Sequence, residues 1–120
     1  MTITQFLHAT LLVTDLEASR YFYEAVIGLT PVPRDLSFAG AWYQLGPVQI
    51  HLIVTESVIG DRSNSEKWGR NRHLALAVTN IETMKQHLES LGQTFQLSAS
   101  GRAALFIADP DGNLIELTQV

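Results

Sequence analysis

Cysteine is absent from this chain. That removes disulfides, thiolate nucleophiles and thiolate metal ligands together, so any transition metal must be held by histidine and carboxylate. Long apolar runs are missing too. No stretch approaches the roughly 18 consecutive apolar residues of a membrane span, and Met1-Thr-Ile-Thr-Gln-Phe6 lacks the basic flank and apolar core of a leader. The expectation is a cytoplasmic protein with no membrane partner. Positive charge is sparse and scattered: 8 Lys and Arg stand against 12 Asp and Glu, for a net charge of −4, which leaves no footprint for nucleic acid. Hydrophobic residues at 46% nevertheless exclude disorder, and 120 residues suffice for one domain with one core.

What is present is a repeat. His8 and His73 lie 65 residues apart, and so do His51 and Glu116. The same offset superposes Val13-Thr-Asp-Leu-Glu17 on Val78-Thr-Asn-Ile-Glu82, and Gln49-Ile-His-Leu52 on Leu114-Ile-Glu-Leu117. The chain is therefore an internal duplication within one domain: module one about 5–54, a linker about 55–72 and module two about 73–120. His8 and His73 hold equivalent places near the module starts, His51 and Glu116 near the ends.

Alternation and punctuation divide each module into strand, helix and three strands. In the first, Phe6 to Val13 reads as a strand with His8, Thr10 and Leu12 on one face. Thr14 or Asp15 caps a helix running to about Val26, and Gly28 ends it. Short strands follow at Leu29 to Val32, Ala41 to Leu45 and Val48 to Val54. The polar stretch from Thr55 to Arg72 reads as linker, with Trp68 a plug or a pocket wall. In the second module His73 to Val78, a helix with the stripe Ile81, Met84, Leu88 and Leu91, then Thr94 to Leu97, Arg102 to Ala108 and Leu114 to Thr118 repeat the plan. Pro110-Asp-Gly-Asn113 is a tight turn whose Asp111 and Asn113 are expected to bond their own backbone. Beyond that turn Glu116 shares a strand face with Leu114 and Thr118. A carboxylate among apolar strand residues needs a cation, a metal or good hydrogen bonds.

On Leu7-His8, Val13-Thr-Asp-Leu16, Phe22-Tyr-Glu-Ala-Val-Ile-Gly-Leu29, Gln49-Ile-His51, Arg72-His73-Leu-Ala-Leu-Ala-Val78 and Asp109-Pro-Asp-Gly-Asn-Leu-Ile-Glu116, the chain resembles the vicinal oxygen chelate superfamily. That superfamily includes glyoxalase I, extradiol dioxygenases, fosfomycin-resistance enzymes and bleomycin-binding proteins. The resemblance implies an α+β fold of two tandem βαβββ modules, their strands a cupped mixed sheet around a metal cleft with helices outside. It implies a divalent metal (Ni, Co, Zn, Fe or Mn) held by His8, His51, His73 and Glu116, and a homodimer. Thr10, Tyr43, Arg102 and Phe106 are the candidate lining of a substrate cleft, and Arg34 is a second candidate for an anionic substrate.

The expected function is that of a glyoxalase-I-like lyase or isomerase. Its metal binds the adjacent oxygens of a small carbonyl or hemithioacetal while Glu116 moves the proton as general base. Glyoxalase I commonly has a carboxylate where this chain has His51, and bacterial glyoxalases an arginine where it has Leu12, so a thiol other than glutathione or an α-hydroxycarbonyl substrate is as consistent. The alternatives are an Fe(II) extradiol-type dioxygenase using His8, His73 and Glu116, and a binding or resistance protein without chemistry. A fosfomycin-type thiol transferase fits less well, since the chain stops four residues after Glu116.

Overall fold

The computed structural model describes residues 1–120, which divide into two compact units, Met1–Val58 and Ile59–Val120. Unit 1 contains β1 (His8–Val13), α1 (Leu16–Arg20), which runs on as a π-helix over Tyr21–Val26, β2 (Thr30–Val32), β3 (Gly40–Leu45) and β4 (Val48–Val54). Its sheet has the order β1-β4-β3-β2, with β1 parallel to β4 and the other pairs antiparallel. Pro31 lies in β2 at the sheet edge, where a missing N–H costs no ladder bond. The Asp15 carboxylate accepts from the Ala18 N–H and starts the helix. The sequence pattern predicts one α-helix to Val26, but the Ile27 N–H reaches back five residues to the Phe22 carbonyl, a π turn.

Val13, Phe22, Tyr23, Val26, Tyr43, Ile50 and Leu52 form the core of this unit. The Tyr43 hydroxyl donates to the Glu24 carboxylate at 2.9 Å, and Arg20 Nε donates to the same oxygen at 2.8 Å. Arg20 holds the Glu24 carboxyl below its ordinary value, outweighing burial, with Tyr43 adding to the effect. Tyr43→Phe should therefore cost about 1.5–3 kcal/mol in urea unfolding at neutral pH, the worth of a hydrogen bond to a charged group. Because the folded Glu24 pKa is depressed, its stabilisation is complete above the unfolded value of 4.5 and fades as pH falls through the folded one. The gap between wild type and variant should narrow as pH falls through the folded value; a gap that never narrows before acid unfolding would remove Glu24 as the acceptor.

Unit 2 repeats the plan with β5 (His73–Val78), α2 (Ile81–Ser90), β6 (Phe95–Leu97), β7 (Ala104–Ala108) and β8 (Leu114–Gln119), ordered β5-β8-β7-β6. Asn80 caps α2 through the Thr83 N–H, and Gly92 ends it at φ 68°, a conformation that suits glycine. Leu88, Leu105, Ile107, Ile115 and Leu117 are its fully buried core. The duplication extends to register: Thr10 lies opposite His51 and Ala75 opposite Glu116, each in a parallel pair. Two four-stranded mixed sheets, one to each βαβββ module, are the fold that the resemblance implies. No helix is long and apolar enough to cross a membrane.

One strand boundary shifts, and two segments have organising side chains that the pattern alone does not name. Residues 59–72 belong to unit 2. Asn71, buried among them, accepts from the Ser63 and Asn64 N–H groups at 2.7 and 2.8 Å and donates to the Asn64 and Trp68 carbonyls at 2.7 and 3.0 Å. Gln96 then fastens the segment to β6, accepting from the Trp68 N–H and donating to the Glu66 carbonyl. In the 109–113 turn the side chain that organises the backbone is Asp109, which accepts from the Asp111 and Asn113 N–H groups and from the Asn113 amide. β7 begins at Ala104 instead of Arg102, because the Ala104 N–H is turned onto the Arg102 carbonyl at 2.8 Å.

Candidate metal and substrate site

In unit 2, β5 and β8 set His73 and Glu116 side by side, with Nε2 and Oε1 3.3 Å apart. His73 Nδ1 lies 2.7 Å from the Asn71 carbonyl, which can only accept, so Nδ1 carries a proton and Nε2 is the nitrogen turned to the carboxylate. Glu116 is 8% exposed. Burial pushes its carboxyl up, but the Thr118 hydroxyl, Arg102 and His73 together hold it below the ordinary carboxylate value, so it stays ionised. The Arg102 guanidinium stands 3.7 Å from its other oxygen. Thr118 is the partner that reading the sequence missed. Its signal was the strand period of two, which places it on the Glu116 face.

In unit 1 the equivalent positions meet differently. His8 and His51 are stacked, ring centroids 4.1 Å apart and planes 14° from parallel, and Trp42 stacks on the other face of His51 at 4.5 Å. A relay fixes the His51 tautomer. The Gln44 amide donates to the Gly46 carbonyl, the Gln49 amide donates to Gln44 Oε1, and Gln49 Oε1 is left to accept from His51 Nε2 at 2.7 Å. The lone pair of His51 is therefore on Nδ1. Burial, His8 and Arg34 in turn depress its pKa and favour the neutral ring. Gln49 also went unnoticed as a partner, although it shares the His51 face two residues away.

Of the cleft candidates, Thr10 is exposed opposite His51, and Phe106 lies opposite Glu116, edge-on to His73 at 5.4 Å. Tyr43 is a correction. It points to the other side of its strand from Trp42 and is fully buried with its hydroxyl on Glu24, so it lines no cleft. Trp42, paired with His51, has the place expected of Tyr43. Arg34 donates from Nη1 to the Phe38 carbonyl at 2.6 Å with its guanidinium over the Phe38 ring, while its Nε and Nη2 are buried without a hydrogen-bond partner. Arg102 and Phe106 do line a cavity, of about 370 Å³, together with Glu116, Gln96, Ser98 and Ser100. Lys67, Gly69 and Arg70 close it from the segment that the sequence presents as linker. A methyl group added at Gly69 would meet the Phe106 ring at 2.5 Å. Gly69→Ala should thus destabilise by about 1–3 kcal/mol in chemical denaturation and shift the ring resonances of Phe106 and His73. Unmoved resonances would show that the ring is not wedged there.

The structure brings the four predicted ligands together as two pairs, and the chain contains no group of three or more His, Cys, Asp or Glu placed to hold a metal ion. Residues 5–117 match the family model of the Glyoxalase/Bleomycin resistance protein/Dioxygenase superfamily. The chain belongs to that superfamily. Among curated proteins it is 25% identical to Glyoxylase I 4 of Arabidopsis thaliana, over 96% of this chain and 70% of the relative. Among solved structures it resembles a glyoxalase family protein from Bacillus anthracis with a TM-score of 0.75 and 25% identity, covering 99% of this chain and 97% of the other. A fosfomycin resistance protein from Listeria monocytogenes, solved in complex with Mn(II), shares the fold with a TM-score of 0.77 and 17% identity over 98% and 93% of the two chains.

Members of the superfamily bind divalent metals and small-molecule substrates, and the donors here are of a suitable kind. His73 fits without change: its far nitrogen is fixed by a backbone carbonyl, the usual orientation device of a metal-bound imidazole. In the first pair the ring planes are nearly parallel, so their in-plane lone pairs do not converge on one ion. For both to hold one ion, one ring would have to turn. His8 is exposed and has no hydrogen bond to break, whereas His51 is held by Gln49, so His8 is the ring free to turn.

Proposed function

We propose that this glyoxalase-superfamily protein is a divalent-metal-dependent lyase or isomerase of glyoxalase I type. Its substrate is a small carbonyl compound or hemithioacetal presenting two adjacent oxygens. The observation that carries the reading is the encounter of His73 Nε2 with Glu116 Oε1 at 3.3 Å. With Nδ1 protonated toward Asn71, two lone-pair-bearing atoms face each other unless a proton or a metal cation lies between them. The metal, when bound by His8, His51, His73 and Glu116, supplies Lewis acidity toward the substrate oxygens. Glu116 moves the proton: it is ionised, mostly shielded from water and steadied by Thr118. Trp42 and Phe106, set beside His51 and Glu116 by their strand registers, exclude water from the ligand positions.

A second reading, an Fe(II) dioxygenase, is favoured by the stacking of His51. If the ring stays on His8 and Trp42, the remaining ligands are two histidines and one carboxylate. Elemental mass spectrometry of the untagged protein separates the two: near-stoichiometric Ni, Co or Zn supports the lyase, iron the oxygenase. No metal after reconstitution would leave a binding pocket without chemistry.

We further propose that a homodimer completes the set, with the His8–His51 pair from one copy and the His73–Glu116 pair from the other. Co-expressing a His8→Ala, His51→Ala chain with a Glu116→Ala chain should then restore about half of the metal sites in mixed dimers. No recovery would mean that each chain builds its own site.

A further inference from the structure

We propose that the cavity of unit 2 is an oxyanion subsite, which takes the carboxylate or phosphate of a small-molecule substrate while the reacting carbons lie beside Glu116. The position of the reacting end rests on the role proposed for Glu116; the oxyanion subsite does not.

Its charge is the first argument. The protein has a net charge of −4 and only 8 Lys and Arg, yet Lys67, Arg70 and Arg102 all line this one cavity. The one carboxylate among its walls, Glu116, already engages Thr118, His73 and Arg102. Lys67 and Arg70 have no carboxylate partner of their own. Three cations around a shared concavity repel one another, and an anion placed between them relieves that repulsion.

Geometry is the second. Arg102 Nε donates to Ser100 Oγ at 3.1 Å, and Ser100 Oγ lies 2.8 Å from Ser98 Oγ, so a planar donor fork and two hydroxyls are pre-set at the rim. That is a combination suited to the several acceptor lone pairs of an oxyanion. The backbone that carries Lys67 is fixed as well. Gln96 bonds both the Trp68 N–H and the Glu66 carbonyl, holding the chain on either side of Lys67 against β6. Such fixing lowers the ordering cost of binding. The Phe106 ring packed on Gly69 gives the same cavity an apolar face for a short carbon skeleton.

The test is an NMR titration of the full-length protein with inorganic phosphate and, separately, acetate at constant ionic strength, with chloride as the control. The expected result is saturable shifts confined to residues 67–70, 96 and 98–102. In a Lys67→Gln, Arg70→Gln variant the affinity should fall at least about tenfold, and in the charge-keeping Lys67→Arg, Arg70→Lys variant it should change by less than about threefold. Saturation by phosphate alone assigns a phosphoryl or phosphonyl group, by acetate alone a carboxylate, and by both an undiscriminating oxyanion site. Shifts that rise linearly with either salt, or that are equal in the charge-removed variant, overturn the proposal. Metal content is measured on the same samples. It should be unchanged, so failure of the subsite leaves the metal assignment standing, and loss of metal in a Glu116 variant leaves the subsite standing.

Discussion

Glu116→Gln should lower metal affinity at least about 100-fold and turnover by about 10²–10⁴-fold while the protein stays folded. Glutamine keeps the volume of the side chain and an oxygen that can accept from Thr118. What it loses is the negative charge facing His73 and Arg102, together with any capacity to take a proton. Because burial opposes the charged form here, removing the charge also removes a desolvation cost, so unfolding free energy should move by about 1 kcal/mol or less. Elemental analysis and calorimetric metal titration read the first effect, and urea unfolding the last. A Glu116→Gln protein that retains stoichiometric metal would sink the ligand assignment, whatever its activity.

The second large effect is expected at Asn71, a residue with no part in the chemistry. Asn71→Ala deprives two N–H groups and two carbonyls of their partner at a site only 8% exposed. At about 1 kcal/mol for each of these part-buried groups left unpaired, the loss is about 3–4 kcal/mol, a large fraction of the stability of a small domain. The damage should also spread. The Asn71 backbone carbonyl orients His73, and the chain it clamps carries Lys67 and Arg70, so metal affinity and the cavity wall should suffer together. Asn71→Asp is the informative companion. It keeps the acceptor for Ser63 and Asn64 but cannot donate to the Asn64 and Trp68 carbonyls, and it buries a charge, so it should be no better tolerated than alanine. Hydrogen exchange at the Ser63 and Asn64 amides reports the clamp directly. Unchanged protection in Asn71→Ala would show that the segment is held by something else.

Much of this architecture is legible in the sequence because strands advertise their faces. The 65-residue offset placed His8 with His73 and His51 with Glu116, and the parallel registers bear that out residue for residue. The period of two also separates Trp42 from Tyr43, but only the pairing of Trp42 with His51 says which of them joins the histidine and which enters the core. The 59–72 segment was opaque for a different reason. Its serines and asparagines are the composition of a solvated linker, and nothing in a linear sequence tells that Asn71 and Gln96 turn those polar groups inward onto backbone. Nor does an equal offset between ligand candidates tell how many of them one chain gathers: equivalence in a repeat fixes place within each copy of the motif, not distance between copies.

The π turn of α1 has a consequence for how this molecule can change over generations. From Leu16 to the left-handed Gly28 there are thirteen residues, but from Ile81 to Gly92 only twelve. The surplus residue is absorbed inside the helix, which is what a π turn accomplishes. It is repaid later: nine positions separate Trp42 from His51, ten separate Phe106 from Glu116, and the strand frames return to step. The two modules differ in length where the chain is away from the sheet, whereas a slip of one residue within β4 or β8 would turn His51 or Glu116 to the wrong side. Length is thus a free variable in the helices and hairpins and a forbidden one in the strands. A lineage of this protein can reshape its substrate by lengthening turns while leaving the ligand-bearing rows untouched.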